Sequence, residues 1–261
     1  MIIIGEKLNS SIPSAFAAMQ EDDSRIIGLI KLQADAGAQY LDINTALFED
    51  EEAAMMKKVI KLVRENCDCG IMLDSPNPEV LSEVIAECEG ADIILNSVTA
   101  DERIDELGPI AAKYNCGIVV LPMDANGIPD SAEGRLECAK SAVEKLKGFG
   151  VAEENIYVDA ICETLATCDS NAKTALDTIA LIKSQTGAKT TCGLSNISFG
   201  LPKRAFINGA FLTVAIYNGL DSAIIDPASK ELRKARFTAE AVCGTDEYCM
   251  EYINFVREET V

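Results

Sequence analysis

Residues 190–204 read TTCGLSNISFGLPKR, and their order suggests how the whole chain is built. Lys189-Thr190-Thr191-Cys192 is short and rich in β-branched residues, as a strand would be. It breaks at Gly193, and the polar pair Ser195-Asn196 follows where the chain should leave the core. Gly200 and Pro202 keep the next residues irregular. Lys203-Arg204 then lead into an apolar, helix-like run through Ala205, Phe206, Ile207, Phe211 and Leu212. A polar pair at the end of a buried strand, followed by a loop and a helix, is how an α/β enzyme presents a reactive group. Gly, Ser and Asn are also the usual turn residues, so this stretch alone fits a plain turn equally well. The functional reading gains weight because the arrangement recurs along the chain.

Seven other short apolar runs end in the same way. Ile2-Ile3-Ile4 ends at Gly5-Glu6, Tyr40-Leu41-Asp42-Ile43 at Asn44, and Gly70-Ile71-Met72-Leu73 at Asp74-Ser75. Asp92-Ile93-Ile94-Leu95 ends at Asn96-Ser97, Gly117 to Leu121 at Pro122, Ile156-Tyr157-Val158 at Asp159, and Ser222 to Ile225 at Asp226-Pro227. Continuous β-branched runs of this kind mark strands buried on both faces of a parallel sheet. Helical patterns separate them. Arg25 to Gly37 carries Ile26, Leu29, Ile30 and Ala34 on one stripe, and Ser131 to Lys147 carries Leu136, Ala139, Val143 and Leu146. Asn77-Pro78-Glu79 is a helix start, with a capping amide, a proline at the first position and an acid in the first turn. Ala172 to Ser184 is a further helix. Gly108-Pro109 is expected to split Asp101–Tyr114 into two short helices, and two helices are expected at 229–236 and 239–257.

From Glu6 to Asp226 the strand ends recur about every 31 residues, one unit of a (β/α)8 TIM barrel of roughly 250 residues. An open doubly wound sheet would carry a glycine-rich phosphate loop, and neither GxGxxG after a strand nor GxxxxGK[ST] is present. With no linker or shift in composition, residues 1–261 are expected to form one domain.

Composition narrows the chemistry. A hydrophobic content of 48% and a charged content of 25% belong to a globular chain. The start, MIIIGEKLN, does not resemble a signal peptide, and no apolar run reaches bilayer length, so a cytoplasmic protein is expected. A net charge of −19 argues against nucleic acid as a partner. The ten scattered cysteines, without a CxxC pair, read as reduced core residues of a reducing, even anaerobic, cytosol. Histidine is absent from the sequence, which removes His-based acid–base catalysis and His-ligated metal sites.

In a parallel barrel all strand C-termini open on one face. That face would display Glu6, Asn9, Asn44, Asp74, Asn96, Asp159, Ser195, Asn196 and Asp226, with Lys7, Lys203 and Arg204 the nearest cations. Acids and amides with little positive charge suit a neutral ligand rich in N–H donors, because a carboxylate accepts two parallel bonds from a cyclic amidine edge. Pterins and guanine carry such an edge. Clustered acids also suit a hard cation such as Mg2+ or Ca2+.

The motifs GEKLN (5–9), LDIN (41–44), LDS (73–75), LNS (95–97), VDA (158–160) and GLSNISFGLPKRAFIN (193–208) together resemble the pterin-binding methyltransferase family. Within it they are most similar to the methyltetrahydrofolate:corrinoid protein methyltransferases. The folate module of cobalamin-dependent methionine synthase and dihydropteroate synthase are more distant relatives. The resemblance implies a dihydropteroate-synthase-like barrel that forms a homodimer. It implies tetrahydrofolate or 5-methyltetrahydrofolate as substrate, a separate corrinoid protein carrying cobalamin as partner, and no metal of the barrel's own. Asp74, Asn96 and Asp159 match the family's pterin-holding residues on strands three, four and six. Asn196 matches the asparagine that reaches N5 of the folate, which makes it the catalytic candidate, and Ser195 and Arg204 match positions near the pterin.

The missing histidine fits this implication. Methyl transfer between N5 and cobalt is a displacement at carbon whose hard chemistry belongs to the corrinoid. The protein must bind the pterin, align carbon with cobalt and assist N5 as leaving group. Phe199-Gly200-Leu201-Pro202 is less polar than expected for acetyl-CoA-pathway enzymes, which leaves room for a role in methyl-donor demethylation. Dihydropteroate synthase itself would need a pyrophosphate site and late-loop cations, including a Lys-x-Arg-x-His ending that this chain lacks. A non-catalytic pterin- or metal-binding barrel is the reading from a different class. The acidic run Glu49-Asp50-Glu51-Glu52 is expected to be a solvated helix start, with a docking surface as the alternative.

Overall fold

A computed structural model describes residues 1–259. Eight strands form one parallel sheet: β1 (Ile2–Asn9), β2 (Tyr40–Asn44), β3 (Gly70–Asp74), β4 (Ile93–Val98), β5 (Gly117–Val120), β6 (Ile156–Asp159), β7 (Lys189–Thr191) and β8 (Ser222–Ile225). The order β7-β6-β5-β4-β3-β2-β1-β8 leaves β7 and β8 at its two ends. A bridge between Gly193 and Ile224 joins them, with the Ile224 amide donating to the Cys192 carbonyl at 2.9 Å. The sheet is therefore a closed TIM barrel, as the strand recurrence predicts. The helices α1 (Pro13–Glu21), α2 (Asp23–Asp35), α3 (Glu52–Asn66), α4 (Pro78–Val84), α5 (Ile104–Tyr114), α6 (Ala132–Gly148), α7 (Asn171–Gln185), α8 (Arg204–Tyr217) and α9 (Lys230–Val242) lie between and after the strands, and α10 (Met250–Glu259) follows. Among the described residues no helix is long and apolar enough to cross a membrane.

Side chains alternate across a strand, so every second residue points into the barrel. Ile4, Met72, Ile94, Val119 and Tyr157 form a buried interior cluster, with Tyr40 packed against it. Two positions further on, toward the strand C-termini, come Glu6, Asp74, Asn96, Leu121 and Asp159, and Asp42 follows Tyr40 in the same way. The pairing keeps these residues level: Met72 lies opposite Ile94, and Asp74 lies between Asn44 and Asn96. An apolar layer thus supports a polar one.

Three expectations need correction. The segment expected to hold two short helices is one, α5, with Pro109 inside it. Gly108 is there for packing, since a Cβ at that position would sit 2.6 Å from the Phe149 ring. At the C-terminal end, α9 runs on to Val242, and the break falls at Gly244 (φ +74) and at Asp246, whose carboxylate accepts from the amides of Glu251 and Tyr252. Glu52 is not solvated: it is buried and accepts a 2.6 Å hydrogen bond from the Ser75 hydroxyl. Residues 260 and 261, which close the expected domain, lie outside the described residues.

Glycine substitutions test this packing. Gly28, inside α2, has nothing within 4 Å of a built Cβ, so Gly28→Ala should raise stability by about 0.5–1 kcal/mol through helix propensity. Gly108→Ala should lower it by about 1 kcal/mol, because displacing the Phe149 ring outweighs the same gain. Urea denaturation midpoints measure both, and equal signs would contradict the packing described.

Candidate active site

The barrel's C-terminal mouth opens as a cleft of about 730 Å³. Asp74, Asn96, Asp159, Ser195, Asn196 and Arg204 all line it, so the six residues singled out from the sequence are brought together. Glu6, Asp42 and Asn9 line it as well. Glu6 was visible as a strand-end acid, but its place beside Ser195 was not. Asp42 sits inside the apolar run YLDIN, and only the alternation Tyr40, Asp42, Asn44 could have pointed it inward.

Local contacts fix most of these side chains. The Asn44 amide oxygen accepts from the Ala46 amide (3.1 Å) and the Ser10 hydroxyl (3.3 Å). Its NH2 is thereby turned toward Asp74, to which it donates at 2.8 Å. The Ser195 hydroxyl donates to both oxygens of Glu6, at 3.0 and 3.2 Å. Asp159 accepts from the Ile161 amide at 2.7 Å and from the Gly193 amide, so the end of β6 is tied to the turn after β7. That turn is a 3-10 helix, Leu194–Ser198, and it holds Asn196 exposed at the cleft while Leu194 and Ile197 are buried beneath.

Two of the three nearby cations, Lys7 and Arg204, are already engaged. Lys7 pairs with Asp226 at 2.8 Å. Arg204 donates to the Ser195 carbonyl at 2.5 Å and to the Ser198 hydroxyl at 3.0 Å, with its guanidinium 5.8 Å from the centre of the Phe199 ring. It braces the turn that carries Asn196. Among the described residues, no group of three or more His, Cys, Asp or Glu side chains is arranged to hold a metal ion.

Four carboxyls consequently sit in a poorly hydrated, cation-poor floor, and burial shifts each upward. Burial lifts Asp159 to about 6, against the pull of its two amide bonds and of Arg135. It lifts Glu6, partly offset by the Ser195 bond and reinforced by Asp226. Asp74 rises through burial despite Asn44 and Arg103. Asp42 rises well above the carboxylate range, through burial and the proximity of Asp74 and Glu6. One oxygen of Asp42, buried in the floor, has no hydrogen-bond partner. Such an orphaned acceptor is costly unless it is protonated or meets a donor from a ligand. The arrangement can therefore grip a flat, neutral heterocycle with N–H groups at its edge, and can hold or receive a proton near neutrality.

Comparison with known proteins agrees with this geometry. The family described as "Pterin binding enzyme" matches residues 5–226. The chain is 34% identical to the methylcorrinoid:tetrahydrofolate methyltransferase of Eubacterium limosum over 265 aligned residues, covering 99% of this chain and 97% of that one. It is 30% identical to the methionine synthase of Mycobacterium tuberculosis over 92% of its own length but only 21% of that protein, so it spans about a fifth of that relative. The fold matches dihydropteroate synthase of Coxiella burnetii, solved with pteroic acid (TM-score 0.69, 16% identity, 92% and 93% of the two chains). It also matches dihydropteroate synthase of Yersinia pestis (TM-score 0.66, 16% identity, the same coverage).

The shift at Asp159 has a consequence for stability. Between about pH 4 and 6 the folded chain retains a proton that the unfolded chain, with an ordinary Asp near 3.8, has released. The folded state binds more protons there, so stability falls as pH rises through that window, and Glu6, Asp42 and Asp74 act with the same sign. Asp159→Asn should flatten the slope, gaining on wild type by at most on the order of 3 kcal/mol between pH 4 and 7. Urea midpoints across that range check it, and an unchanged slope would show that Asp159 titrates normally.

Proposed function

Because the chain belongs to the pterin-binding enzyme family, we propose that it is a methyltransferase acting between N5 of tetrahydrofolate and the cobalt of a corrinoid protein. The observation that carries this reading is the meeting of Asp74, Asn96, Asp159 and Asn196 in one cation-poor cleft. Full-length similarity to a methylcorrinoid:tetrahydrofolate methyltransferase supports the transfer of methyl from corrinoid to folate as the physiological direction. Residues 1–261 would serve as one domain, with cobalamin carried by the partner.

In this reading Asp74, Asn96 and Asp159 receive the donor edge of the pterin, and Asn196 faces N5. The corrinoid supplies the methyl-bearing cobalt. As N5 takes the methyl group it must lose a proton, and in the reverse direction it must gain one to leave. An asparagine amide serves both, accepting from a protonated N5 or donating to a neutral one. Carboxyls shifted toward neutrality nearby can exchange that proton. A pyrophosphate-releasing synthase fits less well, because Lys7 and Arg204 are held by Asp226 and by the Ser195 turn.

We also propose a homodimer. Helix α8 exposes Phe206 (62%), Val214 (44%) and Tyr217 (79%), α9 exposes Val242 (87%), and Val214, Tyr217 and Val242 line one apolar depression. Spacing of Phe206, Ala210, Val214 and Tyr217 puts one stripe on one face of α8. A chain of net charge −19 repels its copies except where they meet over uncharged surface.

Two measurements test these proposals. Asn196→Ala should slow methyl transfer by about 10- to 1,000-fold while changing the methyltetrahydrofolate Kd far less. The Co(I) absorbance, followed with free cobalamin and with a corrinoid protein, reports it. Unchanged kinetics would remove Asn196 from the mechanism, and no turnover by wild type with either acceptor would leave only a pterin binder. Tyr217→Glu together with Val242→Glu should convert a dimer to a folded monomer in light scattering, and a wild-type monomer at micromolar concentration would sink the second proposal.

A further inference from the structure

Among the described residues Arg135 is the largest of the side chains less than 2% exposed, and it is a cation. It lies in the first turn of α6, where the helix dipole opposes a cation, so its burial there needs other support. Every contact that supports it belongs to the barrel mouth. Its Nε donates to the Pro129 carbonyl at 3.0 Å, in the loop after β5. Its Nη1 donates to the carbonyls of Ala160 (2.9 Å) and Ile161 (2.7 Å), and its Nη2 to Glu163 Oε2 (2.6 Å). Three of these four acceptors follow directly on Asp159.

Ile161 adopts φ +50, a left-handed conformation that a β-branched residue takes only when its surroundings enforce it. In that conformation its amide donates to Asp159 Oδ1 at 2.7 Å. A fork that holds the carbonyls on both sides of the Ile161 nitrogen-to-carbonyl unit is what the enforcement requires.

We propose that Arg135 is a positioning residue for Asp159: it locks the Ala160–Ile161 turn, whose amide aims the Asp159 carboxyl into the cleft, and thereby sets affinity for the pterin. The proposal rests on the folate reading above. It differs from a purely structural role, in which losing Arg135 would lower stability but leave the affinity of the folded protein unchanged. Lysine keeps the charge but cannot reproduce the fork to two adjacent carbonyls and a carboxylate.

A double-mutant cycle tests it, with methyltetrahydrofolate affinity measured by titration calorimetry on protein shown to be folded by circular dichroism. Arg135→Lys should weaken binding about tenfold or more, raising KM with kcat changed less than about threefold. In an Ile161→Gly background the same substitution should cost less than about threefold, because glycine holds a positive φ unaided. An Asp159→Asn background should blunt the cost likewise. If Arg135→Lys does not fold, Glu163→Gln, which loosens the fork from its half-exposed end, takes its place in both backgrounds, and its cost should vanish beside Ile161→Gly. Wild-type affinity in the Arg135 or Glu163 variants, or costs that simply add in all backgrounds, would overturn the proposal. A wild-type protein that binds no methyltetrahydrofolate would instead overturn the folate reading itself.

Discussion

Closure of the parallel sheet is the constraint from which the site follows. Once β7 meets β8 through Cys192, Gly193 and Ile224, every inward-facing side chain shares one interior. The lower part of that interior is filled by Ile4, Met72, Ile94, Val119 and Tyr157. The next inward position on these strands then has no room to turn away. It faces a cleft, and the residues found there are Glu6, Asp42, Asp74, Asn96 and Asp159, with Leu121 the apolar exception. Had the sheet stayed open, the same residues would have been ordinary strand ends facing solvent.

Desolvation then decides what that floor can bind. A buried carboxyl costs free energy unless hydrogen bonds or opposite charges offset it. Here the offsets are incomplete. Asn44 satisfies part of Asp74, Ser195 part of Glu6, and two amides part of Asp159, while an oxygen of Asp42 has no partner. Lys7 and Arg204 are spent on Asp226 and on the Ser195 turn. The floor remains short of donors, and a ligand that supplies N–H groups relieves the deficit. Binding and folding are therefore linked: such a ligand stabilises the native chain in proportion to its affinity.

Much of this was legible in the sequence, for a physical reason. Strands buried on both faces read as continuous apolar runs, so their polar ends stand out: position lists Asp74, Asn96, Asp159 and Asn196 among nine polar strand-end residues, and the family resemblance picks them out. Asp42 was harder, because an acid inside an apolar strand declares its side only once its alternation partners are known. Arg135 could not be found at all. It sits on a helix at a position that reads as solvated, and its meaning comes from the Ala160 and Ile161 carbonyls and the Glu163 carboxylate, all distant in sequence. Gly108-Pro109 misled in the opposite direction: a pair that ordinarily breaks a helix is here a close-packing site against Phe149.

The two ends of the site are built differently, and the difference suits the tasks proposed for them. The floor is carried on strand ends, where the sheet ladder limits movement. Asn196 is carried on a short 3-10 turn outside the sheet, exposed at the cleft. That turn is nevertheless braced from both sides. Arg204 holds it through Ser195 and Ser198, while Thr164 donates to the Phe199 carbonyl at 2.5 Å and the Leu165 amide to the Ile197 carbonyl at 3.0 Å. Thr164 and Leu165 belong to the same loop as Glu163, which Arg135 grips. The loop after β6 thus reaches the floor through Asp159 and the turn after β7 through Phe199. In the proposed reaction Asn196 would meet the atom that changes its bonding, so it must stay on the solvent side, yet must not wander. A turn outside the sheet, tied to the loop that aims Asp159, meets both demands.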